Sequence, residues 1–307
     1  MAHETHERHE RGSHASVGPA RRCESTLRAF GGNCARLCAA ARESRLANKT
    51  CGATFDGTMA ITQLEKARQF RALHAAGTFV IPNPFDGGSA RVLERMGFKA
   101  LAHCRVIVEA TDLPVSGDLE KGFGDTPEAA AETIRLAAEI GLVGGSIEDA
   151  TGDAARPLFE IEPAAERIAA AVAAARALAF PFTLTARAEN FVRGKPDLED
   201  TIRRLRAYEA AGADVLFAPG LPDLASVRAV CAAVTKPVNV IAGIPGKPFT
   251  VATLTEAGVR RISLGPSLHR AAMTACIDAA REVVESGAFT YGERAVASAA
   301  LYARMGV

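Results

Sequence analysis

Eight short apolar runs, separated by helix-like stretches and by no hairpin signal, constrain the fold of this chain more than any other feature. The runs are 78–82, 99–102, 114–118, 144–148, 182–187, 214–218, 237–242 and 260–264. Between them lie amphipathic or Ala-rich segments such as 128–140, 164–178, 198–211 and 226–234. Strands joined through helices pair in parallel, because a parallel neighbour needs a long crossover. Eight such units in about 230 residues suit a (β/α)8 TIM barrel better than an open sheet. Two further helical stretches follow, 268–285 and 293–304, and the second is expected to pack on a partner subunit. One interval departs from the pattern. Thr78 and Pro114 open the first and third runs, and two full βα units do not fit between them. The second unit is therefore expected to be truncated, with Ala102 running almost directly into His103.

Residues 1–58 are a different kind of sequence. They hold His3, His6, His9 and His14 together with Cys23, Cys34, Cys38 and Cys51, and they have little apolar periodicity. Ordering such a segment costs more entropy than its burial returns, so a disordered N-terminal extension is expected. The His and Cys spacings match no standard zinc module. Met59 opens a helix-like run, 60–76, and reads as a natural start, so the barrel with its C-terminal helices is assigned to 59–307. The whole chain carries 36 basic and 35 acidic residues, a net charge of +1, which supplies no general attraction to nucleic acid or anionic membrane. It lacks Trp and has only three Tyr, which argues against a base-stacking surface. The Ala-rich stretch 168–180 is interrupted by Arg176, so it does not read as membrane-spanning. Seven Cys without a disulfide-like pattern, and no apolar segment after a basic start, point to the cytoplasm.

Polar residues gather where the strands end, which in a TIM barrel is the active face. The third strand runs into Asp118-Leu119-Glu120-Lys121-Gly122-Phe123-Gly124-Asp125, the fourth into Glu148-Asp149, and the fifth into Arg187-Ala188-Glu189-Asn190. Asn83 follows the first strand, and Asn239 lies in the seventh. Asp118, Glu120 and Glu148 would repel one another in a barrel mouth, and a hard divalent cation relieves that repulsion. The competing reading makes each a solvated acid or helix N-cap, with Asp125 and Asp149 well placed for capping. Arg187 has a planar fork suited to a carboxylate or phosphonate; the alternative is an ion pair with Glu189 or Glu148. Asn190 and Asn239 either donate to substrate oxygens or close turns. Cys104, Cys231 and Cys276 fall on helical stretches and read as small hydrophobes. Gly122 and Gly124 suggest a tight loop across the mouth.

On these residues the chain resembles the phosphoenolpyruvate mutase/isocitrate lyase superfamily. The resemblance runs from Met59 to about Gly287. It rests on Phe79-Val80-Ile81-Pro82-Asn83-Pro84-Phe85-Asp86 with Ser89-Ala90-Arg91, on the 118–125 run, on Ile147-Glu148-Asp149, on Thr185-Ala186-Arg187-Ala188-Glu189 and on Lys236-Pro237-Val238-Asn239. It implies a (β/α)8 barrel that assembles as a homodimer or homotetramer and binds Mg²⁺, with Mn²⁺ as a substitute. Such an enzyme makes or breaks a bond next to a small 2-oxo or 2-hydroxy carboxylic acid, through an enolate. By resemblance, Asp118 contacts the metal, Glu120 and Glu148 hold its waters, and Arg187 grips the substrate. The candidate catalytic set is Arg187, Glu189 and Asn190, and the substrate-contact set is Arg187, Asn239 and Asn83. Two departures stand out. The loop Ala150-Thr151-Gly152-Asp153-Ala154-Ala155-Arg156-Pro157-Leu158 has neither the Cys of the lyases nor the Lys-Thr-Asn-Ser run of the phosphonate enzymes. The Ser-rich loop expected after the second strand is missing. C–C cleavage or decarboxylation is therefore favoured. The alternatives are an impaired paralogue that keeps the metal site and a non-catalytic oligomeric scaffold.

Overall fold

The computed structural model describes residues 61–102 and 105–306. The expectation for residues 1–58 lies outside the described residues, as does Cys104. The eight strands are β1 (Phe79–Ile81), β2 (Leu101–Ala102), β3 (Val115–Asp118), β4 (Gly144–Glu148), β5 (Thr183–Arg187), β6 (Val215–Phe217), β7 (Val238–Ile241) and β8 (Arg261–Ser263). Every pairing is parallel, in the order β1-β8-β7-β6-β5-β4-β3-β2. This is a (β/α)8 barrel, nearly closed. At the seam between β1 and β2 the Ala102 N–H donates to the Pro82 carbonyl at 2.9 Å, and no ladder forms there among the described residues.

Helix α1 (Gln63–Ala75) begins at a capping box in which Thr62 and Glu65 satisfy each other's backbone N–H groups. It lies across the N-terminal ends of the strands and places Phe70 beside Gly144. A Cβ on Gly144 would stand 2.7 Å from the Phe70 ring and 2.9 Å from the Thr183 carbonyl, so only glycine fits there. Phe70, Ala67, Ile81, Ala100 and Val143 form a small buried cluster at this end. His74 packs edge-on against both Phe70 and Phe79.

The remaining helices follow the strands in turn: α2 (Gly87–Arg95), α3 (Arg105–Val108), α4 (Pro127–Glu139), α5 (Ile161–Arg176), α6 (Leu198–Ala210), α7 (Leu224–Ala233) and α8 (Val251–Glu256). Their apolar faces, such as Ala130, Ile134 and Ala137 of α4, join the outward faces of the strands in the main core. Among the described residues the second unit shows β2 up to Ala102 and α3 from Arg105, and β3 opens at Val115, a short interval for a βα unit. After the barrel come α9 (Ser267–Ser286) and α10 (Ser298–Met305). The helix expected over 293–304 is divided, because Ala295 turns extended after a 3₁₀ segment, Thr290–Arg294. Helix α10 packs on α2 of its own chain, with Met305 against Gly88. Helix α9 buries none of its residues and exposes Met273, Ile277 and Val284. Among the described residues no helix is long and apolar enough to cross a membrane.

Candidate active site

Parallel register aligns the strand ends: Asp118 lies opposite Ser146, Glu148 opposite Arg187, and Arg187 opposite Phe217. Within β5, Thr183, Thr185 and Arg187 alternate with Leu184 and Ala186, which join the main core, so Arg187 turns into the barrel mouth. Its guanidinium is the centre of the site. Nη1 donates to both oxygens of Asp118 at 2.8 Å, and Nε and Nη2 donate to Glu189 Oε1 at 3.1 and 2.9 Å. Nη2 also stands 3.0 Å from Glu148 Oε2. Arg193 closes the other side, 2.9 Å from Glu148 Oε1 and 3.5 Å from Glu189 Oε2. Phe217 lies beneath Arg187, its ring centroid 5.4 Å from the guanidinium carbon. The ion pair offered as the alternative for Arg187 is thus present, and with both acids.

Three carboxylates, Asp118, Glu148 and Glu189, here face two guanidiniums, Arg187 and Arg193. Burial pushes the Glu148 carboxyl up, against the pull of Arg187 and with a further upward push from Asp118. Burial pushes Glu189 up to about 6, opposed by Arg187 and reinforced by Glu148. Burial acts to lower Arg187, but Asp118 and its neighbours outweigh it and the group is held more firmly protonated than usual. Hard oxygen donors with negative charge in excess are what Mg²⁺ takes, through one or two carboxylates and water. Asp118 and Glu148 fit that role. Among the described residues no three His, Cys, Asp or Glu side chains form a ready-made cage for a metal ion, Arg187 standing between the acids. The Glu120 carboxylate is exposed and bonds to no described residue; its contribution here is its backbone carbonyl, which accepts from the Glu148 N–H at 2.9 Å.

The chain matches the family model described as phosphoenolpyruvate phosphomutase over residues 101–284. It belongs to that family. The oxaloacetate decarboxylase of Bradyrhizobium diazoefficiens is 31% identical over 206 residues, which span 66% of this chain and 69% of the relative. A lyase/mutase candidate from Burkholderia cenocepacia J2315 has a solved structure that is 49% identical, with a TM-score of 0.78, covering 80% of this chain and 97% of that one. A phosphonopyruvate hydrolase solved with oxalate and Mg²⁺ shares the fold at 20% identity and a TM-score of 0.70, over 78% of this chain and 95% of that one.

In this member of the phosphoenolpyruvate phosphomutase family, several residues act behind the cluster. Asp149 caps no helix. It is 2% exposed and accepts from the Glu189 N–H at 2.9 Å, the Tyr208 hydroxyl at 2.6 Å and Arg204 at 3.1 Å, which ties the β5 exit to β4. Asp125 likewise leaves the N-cap of α4 to Thr126 and pairs with Lys121. Arg167 of α5 donates to the carbonyls of Lys121, Gly124 and Glu148 and so anchors two strand exits. Its signal in the sequence is a lone arginine on the Ala164, Ile168 and Ala171 face. Gly122 adopts φ +82° in the loop across the mouth, and its neighbours Glu120 and Phe123 are also left-handed, at +48° and +53°.

The structure does not bring every sequence-derived candidate to this cluster. Asn190 turns to Asp200, 2.8 Å away, and lines a separate cavity of about 570 Å³ with Arg156, Lys195 and Arg204. Asn83 is half-buried beside the β1 exit, and its Oδ1 has no partner among the described residues. Asn239 is 1% exposed and bonded to Arg261 and Ser263. His74 is buried and His269 exposed. Burial raises the Cys231 thiol to about 11, whereas Cys276 is exposed.

Proposed function

We propose that the protein is a Mg²⁺-dependent lyase-type enzyme acting on a small 2-oxo or 2-hydroxy carboxylate, by C–C cleavage or decarboxylation. The Arg187 cluster carries this reading: one guanidinium held among Asp118, Glu148 and Glu189 at the mouth of a barrel of this family. Asp118 and Glu148 would hold the cation, with Glu120 near its waters. When bound, the cation supplies a Lewis acid for the charge that develops on the 2-oxo oxygen as the adjacent bond breaks. With Asp118 given over to the cation, Arg187 Nη1, which Asp118 holds at 2.8 Å, would donate to the substrate carboxylate, while Glu189 fixes the plane of that guanidinium through Nε and Nη2. Asn83, half-buried at the β1 exit, completes the substrate contacts, and Asn239, buried behind the mouth, supports them through Ser263. The relative named oxaloacetate decarboxylase supports carbon–carbon chemistry over phosphonate chemistry. Exposed Met273, Ile277 and Val284 on α9 offer an apolar face to a second copy, consistent with a cytoplasmic homodimer or homotetramer. The short interval from Ala102 to Val115 favours a second reading, a member with reduced activity that keeps its metal ligands. The test is a screen with added Mg²⁺ of oxaloacetate, other 2-oxo acids, methylisocitrate and phosphonopyruvate, reading pyruvate-type products. Turnover of phosphonopyruvate alone would move the reading to C–P chemistry. No turnover, with Mg²⁺ binding intact, would leave the second reading standing.

A further inference from the structure

Inside the barrel, below the carboxylate cluster, lies an arginine that the proposed chemistry does not use. Arg261 opens β8, is 5% exposed, and has no carboxylate partner among the described residues. Its Nε–H donates to Asn239 Oδ1 at 2.9 Å, Nη2 donates to Thr185 Oγ1 at 3.1 Å, and Nη1 has no partner among the described residues. Burying an unpaired guanidinium is expensive, and a neutral side chain would fill the space at lower cost. What the guanidinium supplies is direction. Arginine has five N–H donors and no acceptor, so the Asn239 atom facing it must be the carbonyl oxygen. That settles which way the carboxamide points, a choice that is otherwise ambiguous. The amide N–H₂ is then turned to Ser263 Oγ, 3.0 Å away, and the serine must accept. A hydroxyl that accepts from one side has its single hydrogen left to donate elsewhere. Ser263 donates to no described residue, is less buried than Asn239, and lies at the C-terminal end of β8, the end that carries Asp118, Glu148 and Arg187.

We propose that Arg261, Asn239 and Ser263 form a one-way hydrogen-bond relay that aims the Ser263 hydroxyl into the barrel mouth as a donor to a carboxylate oxygen of the substrate. Ser263 is the contact residue, and Arg261 and Asn239 are positioning residues. The ligand class rests on the function proposed above. Burial pushes Arg261 down to about 9, and the charge of Arg187 acts in the same direction, so the group stays protonated at neutral pH and the relay keeps its sense.

Asn239→Asp gives the discriminating test, because it is nearly isosteric and reverses the last link. A carboxylate accepts on both oxygens, so it pairs with Arg261 and draws the Ser263 hydrogen inward. Calorimetric titration of the Mg²⁺-supplemented full chain with oxalate and with pyruvate should show about tenfold weaker binding for Asn239→Asp and for Ser263→Ala. Arg261→Met should weaken binding similarly, and Arg261→Lys, another pure donor, should restore most of it. The melting temperature of Asn239→Asp should hold or rise with its new ion pair, which a purely structural role for Asn239 does not combine with lost binding. Wild-type affinity in both Asn239→Asp and Ser263→Ala overturns the relay and leaves the proposed substrate class intact. Failure of the wild-type chain to bind either acid at millimolar concentration overturns the substrate class and the relay together.

Discussion

All three nitrogens of the Arg187 guanidinium are spent on Asp118, Glu148 and Glu189. In a half-dry mouth these acids repel one another, and the guanidinium is the counter-charge that lets them stay close. The same oxygens that suit a divalent cation are therefore already occupied by a side chain. Two opposite effects on metal affinity follow. Asp118→Ala removes a donor and should weaken Mg²⁺ or Mn²⁺ binding at least tenfold, about 1.4 kcal/mol, by calorimetric titration. Arg187→Met removes the competing cation and should tighten Mg²⁺ binding when no substrate is present, provided its melting curve shows it folded. Unchanged affinity in Asp118→Ala would remove the metal reading. Unchanged or weaker affinity in Arg187→Met would remove the competition. Glu120→Gln should change affinity less than Asp118→Ala, since the Glu120 carboxylate is exposed and bonds to no described residue. The candidates that meet here, Asp118, Glu148, Arg187 and Glu189, were legible because a parallel barrel brings strand ends together. Glu120 sits one step further into a left-handed turn, where strand alternation no longer says where a side chain points. Arg261 was missed because a basic residue at the start of an apolar run reads as surface, and only the closed barrel turns it inward.

Helix α1 supplies the stability prediction at the scale of an element. His74 in its last turn donates from Nδ1 to the Phe70 carbonyl at 2.8 Å, and its Nε2 is buried without a partner among the described residues. Burial pushes its pKa down to about 3, and the charge of Arg261 acts in the same direction. The unfolded chain therefore binds a proton on His74 that the folded chain refuses. The stability contributed by neutral His74 is complete above about 6.5 and drains away as pH falls toward 3. Between pH 6.5 and 5 the loss is roughly 2 kcal/mol. His74→Phe, which suits the Phe70–Phe79 cluster, should flatten the fall of melting temperature from pH 7 to 4; an equally steep fall would contradict the assignment. The element borders carry a related lesson. All eight strands lie where the apolar runs stood, seven of them trimmed by one or two residues and β4 unchanged, because short apolar runs bounded by turn residues mark buried parallel strands. The helix expected over 293–304 failed at Ala295, where helix propensity says nothing about a chain that must turn to reach α2.

For the molecule as a whole, the composition of residues 1–58 leads us to expect no core there, so a chain starting at Met59 should melt within a few degrees of the full one. A large loss of stability or solubility would show that the extension packs on the barrel. The seam has more to say about activity. Where other neighbours in the barrel share a ladder, β1 and β2 are joined among the described residues by one backbone bond, from Ala102 to Pro82. A barrel is stable because closure leaves no edge, and this joint is the one without a ladder among the described residues. The family's Ser-rich loop, which resemblance places after this strand, would have donated to the substrate's anionic end. Removing one preorganised donor typically slows an enzyme a hundredfold or more. The chain should therefore turn over slowly even with Asp118, Glu148 and Arg187 in place, and melt below full-length relatives. The test is to insert a Ser-rich loop and helix start, patterned on the family, between Ala102 and His103, and to measure turnover and melting temperature. Both should rise. If the unaltered chain already processes a 2-oxo acid at about 10 per second, an ordinary enzyme rate, the open seam is no handicap and the Arg187 cluster with its metal suffices.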